Sequence, residues 1–354
     1  MKRSGKLYRQ ISEWDNLLIA FYNAARGKRL KPDVALYEKN LYENLKTLQT
    51  HLINQTIPLG NYRFFKIYDP KERLICAAPF EERVLHHAII NITGQVFERL
   101  QIYDSYACRK GKGTNAALLR ALHFTKHYPY FLKLDMKKYF DSISHDELAA
   151  LLATKFKDKT LLNLFDRLLA SYCVTEGRGL PIGNLTSQYF ANFYLGFFDH
   201  YAKEKMQVKG YVRYMDDVLL FADTMEEIKT MLHTAKRFLE EKLLLTLKEE
   251  TIGKTACGVP FLGVLLKPKG IYLSQKKKKR LKKRITQYRY KHESGAWTEE
   301  EYALHITPVL AHVAISRCRQ YCNRVLCRNT LYHFTFFLYT DCLICLSIAN
   351  IFRI

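Results

Sequence analysis

Acidic residues are scarce in this 354-residue sequence: 34 Asp and Glu stand against 56 Lys and Arg, a net charge of +22. A deficit that deep implies a polyanionic partner, with nucleic acid the first candidate and an anionic membrane surface the second. A merely soluble basic protein is the plainer alternative. Cysteines are few, odd in number (nine) and scattered, Cys76, Cys108, Cys173 and Cys257 each standing alone. That excludes a disulfide framework and makes reduced thiols the default. No uninterrupted apolar run follows the basic start Met1–Lys6, because Trp14-Asp15-Asn16 comes before the short Leu17–Tyr22 run. No signal peptide is expected, and the expected location is the cytoplasm. Internal repeats are also lacking. What is present is enough apolar material, 48%, for a large core, and enough aromatic residues, 13%, to exclude a simple charged tail. The length allows two or three domains.

Residues 1–58 read as a helical extension. Leu17, Phe21 and Ala24 share one face, and after the Arg26-Gly27-Lys28 break a longer helix runs through Leu41, Leu45, Leu48 and Leu52. Tyr62–Tyr68 and Arg73–Ala77 are strand-like about an Asp69-Pro70-Lys71 turn, which predicts a basic β-hairpin. Helix resumes at Phe80, with Val84, His87, Ile90 and Ile92 inward. His86 and His87 are adjacent and lack the spacing of a helical metal pair. Residues 129–136 alternate as a strand, Phe131, Lys133 and Asp135 on one face and Leu132 and Leu134 on the other. Asn184–Glu204 reads as a helix with Leu185, Tyr189, Phe193, Phe197 and Tyr201 at helical spacing. Tyr211–Tyr214 and Val218–Phe221 are short strands about a Met215-Asp216-Asp217 turn, and Met225–Leu245 is an amphipathic helix. Helices mixed with antiparallel strands predict an α+β fold.

Lys276–Arg284 hold eight cations, and Leu281, Ile285 and Tyr288 mark the apolar face of one basic helix. A solvated face or a localisation signal is the plain reading of such a run. Residues 331–354 form an apolar tail; Asp341 near its middle favours a buried or partner-facing helix over a membrane span, so no membrane partner is expected. Cys318, Cys322, Cys327, Cys342 and Cys345 match no common zinc spacing.

The chemistry concentrates in Asp135, at the end of one strand, and Asp216 and Asp217, in a hairpin some eighty residues later. Strands laid side by side would gather three carboxylates at one sheet edge. Such a cluster repels itself unless divalent cations neutralise it. Carboxylate with phosphate oxygens suits Mg²⁺, and two such ions, with Mn²⁺ as a substitute, activate a 3′-hydroxyl and stabilise leaving pyrophosphate.

Tyr214-Met215-Asp216-Asp217 resembles the YxDD signature of reverse transcriptases. Phe131–Asp135 with Tyr139-Phe140-Asp141-Ser142-Ile143 resembles their first palm motif, Gly179–Gln188 their template- and nucleotide-positioning motif, and Val259-Pro260-Phe261-Leu262-Gly263 the strand before the thumb. The motifs stand in the family's order across roughly residues 15–325. Ile182-Gly183-Asn184-Leu185-Thr186-Ser187-Gln188 is similar to the version found in diversity-generating retroelements, with Ile182 where most reverse transcriptases carry Gln and Gln188 where most carry Pro. Asp69–Arg73 and Asp104–Thr114 also resemble that subfamily.

The resemblance implies a right-hand polymerase: fingers and palm over residues 59–274 and a basic helical thumb over 275–330. It implies that a template-repeat RNA is copied from a primer into cDNA with dNTPs, with misincorporation opposite template adenines, beside an accessory variability protein oligomer. Asp135, Asp216 and Asp217 would be catalytic and hold both metals, helped by the Met136 carbonyl. Lys66 and Arg73 would clamp the triphosphate, with Arg109 assisting there or contacting template. Phe140 would be the steric gate under the sugar. Ile182 and Gly183 would border the nucleotide. Gln188, Lys277, Lys278, Arg280 and Lys282 would contact nucleic acid. Without the motifs, Phe140 reads as core and Lys66 and Arg73 as solvated charges. One departure is Glu250 in Lys248-Glu249-Glu250-Thr251, where the family has Lys; Lys248 and Lys254 are the available substitutes, and the general acid stays unassigned. The residues after the thumb leave little room for a ribonuclease H, integrase or endonuclease domain. Two alternatives stand: a retron or group II intron-type reverse transcriptase, and a catalytically idle, maturase-like RNA-binding scaffold.

Overall fold

The computed structural model describes residues 3–68 and 72–314. They divide into two units, one built on residues up to 120 together with 130–252, the other on 121–129 together with residues from 253 on. The 69–71 turn, the 318–345 cysteines and the apolar 331–354 tail lie outside the described residues.

The first unit opens with helices α1 (Tyr8–Ile11), α2 (Trp14–Ala25), α3 (Pro32–Lys39) and α4 (Leu41–Asn54). Leu17, Phe21 and Ala24 on α2 and Leu45, Leu48 and Leu52 on α4 are buried, the stripes their spacing predicts. The single long helix expected after the basic break is two, with Pro32 starting the first, where its missing N–H costs nothing. Strands β1 (Arg63–Tyr68) and β2 (Glu72–Ala77) form an antiparallel hairpin pairing Lys66 with Leu74 and Ile67 with Arg73. Every residue of β1 is exposed, and only Cys76 at the inner end of β2 is buried.

Helix α5 (Phe80–Leu100) buries Val84 and Ile90 as expected. The inward histidine, however, is His86 and not His87. His86 sits in the core between Glu82, 3.4 Å from Nε2, and Thr186, 3.1 Å from Nδ1. Both ring nitrogens are thereby used within the protein, which leaves none for a metal. His87 is half-buried, and burial together with the charges of Lys28 and His86 lowers its pKa to about 4.

Next come α6 (Thr114–His127), β3 (Tyr130–Met136), α7 (Tyr139–Ser142), α8 (His145–Ala153), α9 (Lys159–Ala170) and α10 (Leu185–His200). Ser144 and Asp158 cap α8 and α9 through their side-chain oxygens. Helix α10 ends in a π turn at Tyr201–Lys205. Of its expected stripe only Phe193 is fully buried; Phe190, Tyr194, Leu195 and Phe198 are buried as well, so the helix is enclosed on most sides. It packs against α5 and α8.

Strands β4 (Gly210–Tyr214) and β5 (Asp217–Ala222), helix α11 (Met225–Lys242) and β6 (Leu247–Lys254) complete the sheet, in the order β4-β5-β3-β6. Thr224 and Glu227 form a capping box at the start of α11, which covers β3 and β5. Leu132, Leu134, Val218 and Leu220 belong to the main core. Lys133 and Asp135 alternate to the other face and stay half-buried.

In the second unit, β7 (Val259–Phe261), β8 (Val264–Lys267) and β9 (Gly270–Leu273) form an antiparallel meander. Helix α12 (Gln275–Glu293) follows, capped by Ser274, and then α13 (Glu299–Ala314). Leu281 and Ile285 are buried, and Tyr288 lies 5.2 Å from the Trp297 ring. No helix among the described residues is long and apolar enough to cross a membrane.

Candidate active site

The acidic residues meet through strand register. In the antiparallel pairing of β3 with β5, Asp135 stands directly opposite Asp217. Strands β4 and β5 pair Tyr214 with Asp217, so the loop between them is two residues, Met215 and Asp216. Asp217 therefore opens β5; it does not lie in the turn, as the sequence suggested. Met215 has φ +55, at the first loop position, where tight hairpins favour glycine.

Like charges facing each other across a ladder are destabilising, and here a cation intervenes. Lys133 Nζ lies 3.0 Å from Asp217 Oδ1, both side chains being mostly sheltered. Asp216 is placed differently. Burial pushes its carboxyl pKa above the usual aspartate range, Asp217 and Asp135 raise it further, and Arg73 opposes them. Arg73 on β2 thus lies within electrostatic reach of the acidic cluster. Lys66 is engaged instead with Glu72 at 2.7 Å.

Arg109 is not brought to this cluster. Its Nε donates to Glu98 at 2.8 Å and its Nη1 to the carbonyls of Ile102 and Ser105 at 2.6 and 2.7 Å. It folds the 102–113 loop onto α5. Other residues of this stretch reach the sheet: the backbone of Asp104 and Tyr106 bonds to Arg213 on β4, and Thr114 Oγ1 donates to Tyr214 OH at 3.1 Å.

The 179–188 segment lies against the inner end of the exposed hairpin. Ile182 accepts the Cys76 N–H at 2.8 Å. Gly183 has φ +120, and a Cβ there would come 3.1 Å from Ile75 Cγ2 and 3.4 Å from the Cys76 carbonyl. The close approach that requires glycine is thus between loop and β2. Phe140 is half-buried, 5.8 Å from the Tyr139 ring, and its carbonyl accepts from Leu180 N at 2.8 Å. Gln188 accepts from the Cys108 thiol at 3.4 Å. On α12, Lys277 is half-buried with its ammonium 3.5 Å from the Leu262 carbonyl, while Arg280 and Lys282 are exposed. Lys278 is half-buried. On β6, Lys248, Glu250 and Lys254 are all exposed.

Among the described residues, no group of three or more His, Cys, Asp or Glu is arranged to hold a metal ion by itself. Asp135 and Asp216 fit a hard cation that takes one or two carboxylates and completes its shell with water and substrate phosphates, as Mg²⁺ does. Met136 follows Asp135 at the end of β3, its side chain buried.

Sequence reasoning missed the buried pair beneath the turn, Arg213 with Asp199, neither exposed at all. The signal was a charged residue inside an apolar strand, Gly-Tyr-Val-Arg-Tyr, and an acid at the end of an aromatic helix.

A family model described as "Reverse transcriptase (RNA-dependent DNA polymerase)" matches residues 68–266. The chain belongs to the reverse transcriptase family, and its fold is the α+β, right-hand polymerase type. It is similar to an "Uncharacterized 91 kDa protein in cob intron" of Schizosaccharomyces pombe, 29% identical over 40% of this chain and 18% of that protein. It is also similar to the Retron Ec73 reverse transcriptase of Escherichia coli, 26% identical over 42% of this chain and 50% of that one. The chain thus spans half or less of either relative's length. Telomerase of Candida tropicalis with a telomeric RNA fragment aligns over 84% of this chain and 60% of its own, at 13% identity and a TM-score of 0.49.

Proposed function

We propose that this protein is an RNA-directed DNA polymerase whose catalytic carboxylates are Asp135 and Asp216. The observation that carries the reading is the β3–β5 register, which sets Asp135 against Asp217 with Asp216 in the adjoining two-residue loop, in a chain of the reverse transcriptase family. Asp135 and Asp216 would hold two Mg²⁺ ions together with the Met136 carbonyl. The chemistry such ions supply when bound is activation of the primer 3′-hydroxyl and stabilisation of the leaving pyrophosphate. Asp217 keeps the cluster together through Lys133. Arg73, within electrostatic reach of Asp216, would offer a cation suited to phosphate. Lys66 joins it only by leaving Glu72. An RNA template, a DNA product and dNTPs are the partners this reading requires.

Asp216→Asn is the test. It keeps the shape of the side chain and removes its charge. Primer extension on RNA with Mg²⁺ should fall by about 10²-fold or more, the scale for losing a group that stabilises transition-state charge. RNA binding should persist, because Lys and Arg against phosphate dominate it. Undiminished extension by the variant would remove Asp216 from the site.

Within this class we favour the diversity-generating type, copying a template repeat with errors at adenine, with an accessory oligomer as partner. Ile182 supports that reading: it offers a backbone carbonyl and an aliphatic side chain where an amide is usual. The similarity to intron and retron proteins favours the second reading, an ordinary retroelement polymerase.

A further inference from the structure

Among the described residues, Arg213 is the largest side chain fully cut off from solvent. Its five N–H donors all have acceptors. Nε bonds Asp199 Oδ1 at 2.7 Å, and Nη2 bonds Asp199 Oδ2 at 2.7 Å and Gln101 Oε1 at 3.0 Å. Nη1 bonds Asn192 Oδ1 at 3.0 Å and the Met215 carbonyl at 3.1 Å. Asp199 is held in turn by the Tyr211 hydroxyl at 2.6 Å. Gln101 receives the Ser105 hydroxyl at 3.0 Å, and Asn192 donates to the Ala107 carbonyl at 2.9 Å.

A dry ion pair is a poor way to stabilise a core, since apolar side chains of the same volume usually do as well or better. The arrangement here has a second property. All but one of the guanidinium's partners come from α10 and from Gln101 at the end of α5, and these fix its position. The remaining N–H points out of the core into the two-residue loop. It reaches the carbonyl of Met215, the residue with left-handed backbone. That carbonyl belongs to the peptide joining Met215 to Asp216. Because the peptide is planar, holding its oxygen fixes the orientation of the whole unit, including the N and Cα of Asp216.

We propose that Arg213 is a positioning residue for the catalytic turn: through the Met215 carbonyl it fixes the Met215–Asp216 peptide and so the direction of the Asp216 carboxylate. The proposal rests on the reading of Asp216 as a catalytic carboxylate. It gives the polar cluster of Asp199, Asn192 and Gln101 a purpose, which is to hold a rigid donor under a strained loop.

Arg213→Lys keeps the charge and removes the planar fork. In the full chain, the kcat for single-nucleotide insertion on an RNA-templated primer should fall by about tenfold to a hundredfold, the scale of a misplaced reacting group. The KM for dNTP and the affinity for primer–template should stay within about threefold, because the groups that bind substrate are elsewhere. Amide hydrogen exchange in metal-free buffer should speed up at residues 214–217 and stay unchanged in α11. A folded R213K with wild-type kcat and wild-type exchange at the loop would overturn the proposal.

If R213K does not fold, the paired variant Arg213→Met with Asp199→Leu removes both charges at once. It should fold and show the same loss of kcat. Full activity in that folded variant would overturn the proposal, and so would failure of both variants to fold, since the core and not the turn would then need the arginine. Asp216→Asn is run in parallel. Activity retained there sinks the catalytic reading itself, whereas an inactive D216N beside a wild-type R213K sinks only the role of Arg213.

Discussion

Asp216 and Asp217 are neighbours in the chain but not in their surroundings. Asp217 is the first residue of β5 and shares its charge with Lys133 at 3.0 Å. Asp216 sits in the loop, with burial and two other carboxylates raising its pKa. Bringing a cation to Asp216 relieves an electrostatic cost already built in, which is the usual condition of a metal-holding carboxylate. Phe140 poses a different residue-scale question, since its half-buried ring on α7 beside Tyr139 suits either packing or a gate under the sugar. Phe140→Ala separates them. As a gate, its loss should raise insertion of GTP relative to dGTP by about tenfold, equivalent to roughly 1.4 kcal/mol of discrimination. As packing, its loss should lower Tm and leave that ratio alone. Single-nucleotide insertion beside a melting curve reads both.

At the scale of elements, the basic helix α12 places its cations in two settings. Lys277 lies against the Leu262–Gly263 turn, with Gly263 at φ +75 and no room for a Cβ beside the lysine ammonium, 2.7 Å away. Lys279, Lys282 and Lys283 share an open face with Thr286, Gln287 and Tyr290, opposite buried Leu281 and Ile285. Changing Lys279, Lys282 and Lys283 to Gln should flatten the log–log salt dependence of primer–template binding by roughly 0.7–0.9 for each phosphate that the variant no longer neutralises. Lys277→Gln should lower stability and leave the slope unchanged. Filter-binding titrations across a salt series would show which residues belong to which task, and an unchanged slope in the triple variant returns that face to plain solvation. The helix itself was legible because Leu281, Ile285 and Tyr288 carry its period. The two settings along it were not, since a lysine beside a glycine turn looks in sequence like any other lysine. The hairpin β4–β5 shows the same limit. Alternating residues mark both strands, but the loop length depends on which pair closes the ladder, and that is a property of register. Arg109 was placed at the nucleotide for a related reason: its partner Glu98 stands eleven residues earlier on the last turn of α5, and a basic loop gives no hint that one of its cations is committed inward.

At the scale of the whole molecule, a charge of +22 would make binding to nucleic acid the easy part of the proposed function. Binding alone does not separate a copier with ordinary fidelity from one that errs at a chosen base. That difference belongs to the groups around the nascent pair, because selectivity is a difference in transition-state stabilisation between right and wrong nucleotides. The sequence motifs identified the class through Asp135, Asp216 and their order along the chain. The subtype rests on finer resemblances, among them Ile182, in a loop whose backbone, not its side chain, makes the bond to Cys76. Ile182 brings no hydrogen-bonding side chain to its position, and Gln there would restore a donor and an acceptor. One hydrogen bond is worth about 0.5–1.5 kcal/mol net, enough for a several-fold change in error rate. On an RNA template containing all four bases, the wild-type protein should misincorporate mainly opposite adenine. Ile182→Gln should reduce those errors several-fold and change errors at the other bases little. Sequencing the cDNA from both proteins decides the point. Even copying of all four bases by the wild type would reject the diversity-generating reading and leave the intron- or retron-like polymerase, with Asp135 and Asp216 in the same roles.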